Sequence, residues 1–403
     1  IPRRGYDDYS NFLAAGSAGD FARAAGLEQF PYWRKLSEHP NYDAFWQNQA
    51  LDKVMAQQPP QVPTLWLQGL WDQEDMWGAV HSYEAIEAAH PGESYNHLVM
   101  GPWRHSQVNY DGSALGVLQW TGDTALQFRR DVLKPFFDQY LVDGAPKADA
   151  PKVLIYNTGD NHWDRLARWP LSCQHGCPQT SRPLYLGAGQ SLSFNAPTAR
   201  ADQYDQYISD PAKPVPYLPR PVVFADHDAW TTWLVHDQRF VDGRPDVLTY
   251  VTDPLTAPLR IAGAPIVHLY ASTSGSDSDW VVKLIDVYPD QVASAPAMGG
   301  YELPIAMDIF RGRYRTSFEH PQALTPDQPL LYTFGLPNAN HVFQPGHRVM
   351  VQIQSSWFPL YDRNPQTYVP NIFFAKSSDY RAATQRIWRS PASASMIELP
   401  VVP

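Results

Sequence analysis

The chain has 403 residues and a net charge of −10, with 44% hydrophobic and 18% charged residues. That balance excludes a disordered chain, and the length exceeds one ordinary domain, so two or three are expected. No Lys/Arg run or basic stripe is present, which argues against a nucleic-acid partner. No apolar run approaches the roughly 20 residues needed to cross a bilayer, so no membrane span is expected either. The 14 Trp, 22 Tyr, 17 Phe and 38 Pro suit a β-rich protein with long rigid loops and a pocket lined by rings.

Residues 1–60 read as helices and loops. Tyr6–Leu13 and Asp20–Ala25 are helix-compatible, with Gly26 as a stop. Asp43–Leu51 follows Pro40 and carries apolar groups at helical spacing. This region is expected to be a helical cap over a site, with the chain re-entering a sheet at Val62-Pro63-Thr64-Leu65.

Residues 61–148 read as part of an α/β domain. The apolar run Thr64-Leu65-Trp66-Leu67 ends at Gly69 and an acidic loop holding Asp72, Glu74 and Asp75. A helix is expected from about Trp77 to Ala89. A second run, His97-Leu98-Val99-Met100, breaks at Gly101-Pro102 and delivers His105. In open α/β sheets functional groups gather at the carboxyl ends of strands, and both polar clusters fall there. Where a nucleophile, an acid and a histidine follow one another along such a sheet, Asp72 and His105 fit the last two places. The histidine would take a proton from the nucleophile while the acid fixes its tautomer. A long helix follows, capped near Asp123 or Thr124, with Leu126, Leu133, Phe136, Phe137, Tyr140 and Leu141 on one stripe expected to be core.

Residues 149–403 change texture. Lys152–Tyr156, Pro183–Leu186, Val247–Val251, Ile266–Tyr270, Trp280–Tyr288 and Arg348–Ile353 read as short strands separated by Pro, Gly, Asp and Ser. Their spacing predicts a β-sandwich of the jelly-roll type. Cys173 and Cys177 are the only cysteines; a loop closed by a disulfide is the first reading, with free thiols or a metal as alternatives. The Asp277/Asp279 pair reads as a polar turn rather than a calcium site. His81, His90 and His97 read as structural or exposed, and no HExxH pattern is present.

Several motifs together resemble the α-amino acid ester hydrolases, within the wider group of cocaine esterases, glutaryl-cephalosporin acylases and X-Pro dipeptidyl peptidases. They are Gly69-Leu70-Trp71-Asp72-Gln73-Glu74-Asp75, Met100-Gly101-Pro102-Trp103-Arg104-His105-Ser106, Asn157-Thr158-Gly159-Asp160-Asn161-His162-Trp163 and Ser272–Trp280. The resemblance implies an α/β-hydrolase domain with a helical cap followed by a jelly roll. It implies a serine esterase and acyltransferase with no metal or organic cofactor, acting on α-amino acid esters and passing acyl groups to amines such as β-lactam nuclei. Asp72 matches the triad acid, His105 the triad histidine, and Glu74 and Asp75 two members of a carboxylate cluster that holds the substrate ammonium. Trp71, Trp77 and Trp103 become candidates for the acyl pocket, with core packing as an equal alternative. A periplasmic or secreted homo-oligomer, a tetramer, is the implied state.

The chain departs from that pattern in several respects, among them the tyrosine that helps bind the oxyanion and the third cluster carboxylate, neither of which is identifiable. A Gly-x-Ser-Tyr-x-Gly elbow is absent; Gly16-Ser17-Ala18-Gly19 and Gly112-Ser113-Ala114-Leu115-Gly116 lack its spacing and the preceding strand. A half sheet would also leave a long unpaired edge. The chain, which opens on Ile-Pro-Arg-Arg, is therefore expected to be the C-terminal portion of a longer polypeptide. The alternatives are an X-Pro dipeptidyl peptidase, a cocaine-type esterase or a glutaryl acylase and, from another class, a non-catalytic jelly-roll binding protein.

Overall fold

A computed structural model of the chain describes residues 6–92, 94–172, 180–198 and 203–403. Cys173 and Cys177, and with them the expected loop disulfide, lie outside the described residues. The chain begins with five short helices: α1 (Asp8–Ala15), α2 (Ala18–Ala24), α3 (Pro31–Glu38), α4 (Ala44–Gln47) and α5 (Leu51–Gln57). Ser17 and Asp20 form a reciprocal capping box at the start of α2, which satisfies two backbone donors that the helix itself cannot.

Helices α1 to α3 seat on the β-rich part of the chain. Asp8 N–H donates to the Val222 carbonyl, the Tyr9 hydroxyl to Pro214, and the Asn371 amide to Ser37. Aromatic packing explains the choice: Tyr9 meets Phe358 edge-on, and Phe12 meets Phe224. The helices of residues 1–60 thus divide between the two parts of the chain. Only α4 and α5 lie by the α/β part, where His90 Nε2 bonds the Ala56 carbonyl.

Strands β1 (Thr64–Gly69) and β2 (Asn96–Gly101) pair in parallel, from Thr64 opposite Asn96 to Gly69 opposite Gly101. Helix α6 (Gly78–Ala89) is the crossover between them, as a parallel pair requires. Every residue of β2 is buried, the outcome its continuous apolar run anticipates.

The long helix after the histidine loop is α7 (Thr124–Phe128), a π-type turn over Arg129–Leu133, and α8 (Lys134–Leu141). Its buried stripe is Ala125, Phe128, Val132 and Phe136, whereas Leu126, Phe137, Tyr140 and Leu141 are exposed. The expected stripe is corrected accordingly. Ala125, Phe128, Val132 and Phe136 recur at three- and four-residue spacings, which keeps them on one helix face.

Strand β3 (Val153–Asn157) pairs in parallel with β2, and β4 (His162–Leu166) runs antiparallel to β3, giving a mixed sheet in the order β1-β2-β3-β4. Two strands that follow the boundary expected near residue 149 thus join the sheet of the first part. The run Val153-Leu154-Ile155-Tyr156 is apolar on both faces, a pattern that a buried α/β strand and a sandwich strand share.

The rest is β-rich. Leu248–Val251, Arg348–Gln354, Asp279–Val287 and Glu302–Arg311 form one antiparallel sheet in that order. Ile266–Thr273, Leu330–Gly335, Ala383–Ser390, Tyr204–Ser209 and Met396–Leu399 belong to another. Leu269 and Ile387 from the second share a core with Trp280, Leu284 and Val351 from the first. The two parts of the chain meet closely: Thr158 N–H donates to the Asn340 carbonyl, and a Cβ on Gly159 would fall 2.1 Å from the Val342 oxygen. Arg260 and Asn340 both donate to Asp164 in β4.

Asp277 and Asp279 are both committed to arginines. Asp279 receives Arg311 and the Asn364 amide. Asp277 receives Arg313, at 2.9 Å from Nε, and the two side chains are 0% and 3% exposed. Breaking a buried ion pair strands the remaining charge, whereas replacing both partners need not. Arg313→Met is expected to lower unfolding stability by about 3–5 kcal/mol, and Arg313→Met with Asp277→Leu to recover most of it. Denaturant titration of the two variants checks this.

Candidate active site

The acidic loop leaves β1 at Gly69 and the histidine loop leaves β2 at Gly101, so their first residues run side by side. Leu70 N–H donates to the Gly101 carbonyl and Trp71 N–H to the Trp103 carbonyl. Both glycines are needed for this approach. A Cβ on Gly69 would lie 2.4 Å from the Trp103 carbonyl oxygen, and one on Gly101 2.4 Å from the Trp103 ring. The sequence marks both glycines as the ends of the two apolar runs, without showing that the loops beyond them converge.

Asp72 then turns its carboxylate back along its own loop. Its Oδ1 accepts the backbone N–H groups of Glu74 and Asp75 at 2.9 and 3.0 Å. Both oxygens also lie 3.1 Å from His105 Nδ1. Exposure separates the groups: the Asp72 side chain is 10% exposed, His105 39% and Glu74 49%. Nδ1 is thus engaged by the acid, while Nε2 lies 3.8 Å from Glu74 Oε2. Among the described residues no hydroxyl or thiol bonds Nε2.

The histidine loop is held from several sides. Gln107 accepts Arg104 N–H and donates to the carbonyls of Asp111 and Ala114. His105 N–H donates to Gln73 Oε1 at 3.1 Å. Ser106 adopts φ +60°, which lets the chain reverse after the histidine. Asp123 closes the loop by accepting Gly112 N–H while it caps α7 through Leu126 N–H. Burial raises the Asp123 carboxyl, but these donors outweigh it and hold it below the usual carboxylate range. Gln107 and Gln73 were missed in the sequence, where a loop glutamine carries no distinguishing signal.

A cavity of about 260 Å³ opens beside the pair, lined among others by Asp72, Asp75, His105, Ser106 and Asn109. Asp72, Glu74, Asp75 and His105 are therefore together. Trp71 does not line that cavity, whereas Trp103 does. Trp71 is 4% exposed, donates to the Pro304 carbonyl and stacks on Trp120. Trp103 is 1% exposed, donates to Thr124 Oγ1 and packs against Phe128 and Trp163, touching the cavity only as its floor. Both rings are buried in the core, where a large aromatic contributes most of its area. His81 stacks on the exposed Trp77, and His97 bonds the Pro151 carbonyl. Along the outer side of β1, which pairs only with β2 among the described residues, Trp46, Trp66, Trp77, Leu65 and Phe318 line a second, apolar cavity of about 840 Å³.

A buried carboxylate holding an imidazole across adjacent ends of parallel strands, beside a β-rich unit, defines the class as hydrolase-like in architecture. A family model described as the X-Pro dipeptidyl-peptidase C-terminal non-catalytic domain matches residues 146–398, and one described as X-Pro dipeptidyl-peptidase (S15 family) matches residues 1–107. The chain belongs to this X-Pro dipeptidyl-peptidase family, in the group that includes cocaine esterase and the α-amino acid ester hydrolases.

Three relatives fix its place. A solved α-amino acid ester hydrolase is 73% identical with a TM-score of 0.98, over 100% of this chain and 66% of that one. An aminopeptidase from a marine sediment Thaumarchaeota archaeon is 49% identical with a TM-score of 0.94, over 99% and 64%. The cocaine esterase of Rhodococcus sp. (strain MB1 Bresler) is 29% identical over 382 residues, 91% of this chain and 61% of that protein. The chain thus spans just under two thirds of the length of each of these relatives.

The strand crossing makes a direct prediction. Gly69→Ala is expected to cost about 1–3 kcal/mol, the range for overpacking a filled site, and to move the histidine loop away from Asp72. A denaturation midpoint and a crystal structure of the variant check both parts; an unshifted midpoint with the Asp72–His105 contact intact would remove the steric role.

Proposed function

We propose that Asp72 and His105 are the acid and the base of a serine hydrolase that cleaves esters of α-amino acids and passes the acyl group to water or to an amine, β-lactam nuclei included. The observation that carries this reading is the bidentate approach of His105 Nδ1 to the buried Asp72 carboxylate. In such a triad the acid fixes the tautomer that leaves Nε2 free to take a proton. The serine belongs, in this reading, to a segment outside residues 1–403 that adds strands along the open edge of β1, and the β-rich unit is a jelly roll. The unpaired edge and its apolar cavity support that placement.

The Asp72 carboxylate also folds Glu74 and Asp75 toward the reacting side of the imidazole. Negative charge there suits a substrate whose acyl carbon bears a free ammonium. In catalysis His105 accepts the serine proton as the acyl bond forms, then returns it to the departing alcohol. A second pass with water or an amine releases the acyl group.

A second reading stays with the same ammonium recognition but changes the leaving group: cleavage at the free N-terminus of a peptide. The 49% identical neighbour named an aminopeptidase favours it. Comparing hydrolysis of an α-amino ester with that of a dipeptide amide separates the two readings, and fluorophosphonate labelling of the complete polypeptide tests both.

Asp72→Asn is expected to leave the fold intact and to lower kcat by roughly 10⁴-fold, as loss of the orienting acid does in Ser-His-Asp enzymes. Steady-state kinetics decide it, and near-normal turnover would remove Asp72 from the triad. Glu74→Gln with Asp75→Asn is expected to raise KM for an α-amino ester at least tenfold, the scale of losing one charge-assisted contact of about 1.4 kcal/mol. The des-amino analogue should be little affected; an equal loss on both substrates would contradict ammonium recognition.

A further inference from the structure

Gln73 lies between the acid and the carboxylate pair in sequence, yet its side chain turns away from both. Its Oε1 accepts the backbone N–H of His105 at 3.1 Å. That N–H follows β2 and has no strand or helix to satisfy it. The acidic loop and the histidine loop are therefore joined twice: once through the imidazole and Asp72, and once through the main chain and Gln73. The two links fix different things. The Asp72 contact sets the ring's tautomer and tilt, whereas a bond to the backbone sets where the ring's Cα stands relative to the acid.

We propose that Gln73 is a positioning residue for His105, acting through the histidine main chain rather than on substrate; this rests on the proposed role of His105 as the base. A backbone amide deprived of its acceptor turns toward water. The adjoining Ser106, already at φ +60°, offers the loop a pivot for that turn. The ring then loses its aligned contact with Asp72. Reacting groups displaced by about 1 Å can lose on the order of 10²-fold in rate, and the loss falls on kcat because Gln73 touches no substrate.

The test compares Gln73→Met, which keeps length and removes the acceptor, with Gln73→Glu, which restores an acceptor oxygen at the same reach. Both are made in the complete polypeptide. With an α-amino ester, Gln73→Met is expected to lower kcat ten- to a hundredfold with KM within twofold, and Gln73→Glu to recover most of it. The far-downfield proton resonance of the His105 Nδ1–H shared with Asp72 is recorded on the resting protein. It should shift or broaden in Gln73→Met and return in Gln73→Glu. Unchanged kcat together with an unchanged resonance would overturn the proposal, as would a loss confined to KM. If the unaltered protein turns over no ester, the functional reading fails, while the resonance still decides whether Gln73 sets the histidine's position.

Discussion

One carboxylate organises this site. Asp72 is nearly buried, and a buried carboxylate must be met by donors. Three are supplied: the N–H groups of Glu74 and Asp75 and the imidazole Nδ1. The first two bend the loop into a tight turn and the third crosses to the neighbouring loop. The same bonds that satisfy Asp72 therefore decide where Glu74 and Asp75 point and which nitrogen of His105 remains available. Division of labour among three neighbouring carboxylates follows from burial: the one with donors is sequestered, and the ones without stay in water.

That arrangement rests on how closely two strand ends come together. β1 and β2 are in register from Thr64 and Asn96 up to the two glycines, and side chains at those glycines would collide with Trp103. The bulky ring is itself fixed by Thr124, the first residue of α7. A helix distant in sequence thus holds the floor on which the histidine loop lies. The parallel pairing, the crossover helix and the glycines are each ordinary features; the site is their sum.

The sequence made the polar core of this site legible because strand-end chemistry follows a simple pattern. Apolar runs of four residues ending in Gly placed Asp72 and His105 at adjacent strand ends before any coordinates. It could not tell β3 from a sandwich strand, since Val153–Tyr156 is buried on both faces in either setting. The long helix was misassigned by face: at about 3.6 residues per turn Ala125, Phe128, Val132 and Phe136 share one side, from which Leu126, Phe137 and Leu141 point away. Trp71 and Trp103 were ambiguous for a related reason. A ring next to a strand-end loop is equally consistent with wall and with core, and only the indole partners at Pro304 and Thr124 show both to be anchored in the core. Gln73 and Gln107 show the general limit: a side chain that bonds main chain across a loop is specified by three-dimensional placement alone.

The β-rich unit takes part in this geometry although it supplies none of the polar groups. Behind the acidic loop, Leu70, Trp71 and Met76 lie against Leu234 and the strand segment Pro304–Met307, and the Trp71 indole donates to the Pro304 carbonyl at 3.1 Å. The loop is accordingly clamped, with the histidine loop in front and a strand of the other unit behind. A carboxylate loop free on one side would move with solvent, and the charges of Glu74 and Asp75 would be spread over many positions. Bracing by a packed strand restricts them to one, because well-packed cores resist continuous deformation. A second contact joins the units at Thr158, Gly159 and Asp164, which meet Asn340, Val342 and Arg260. The second unit of the chain thus bears on this site mechanically, by bracing the loop that carries Asp72.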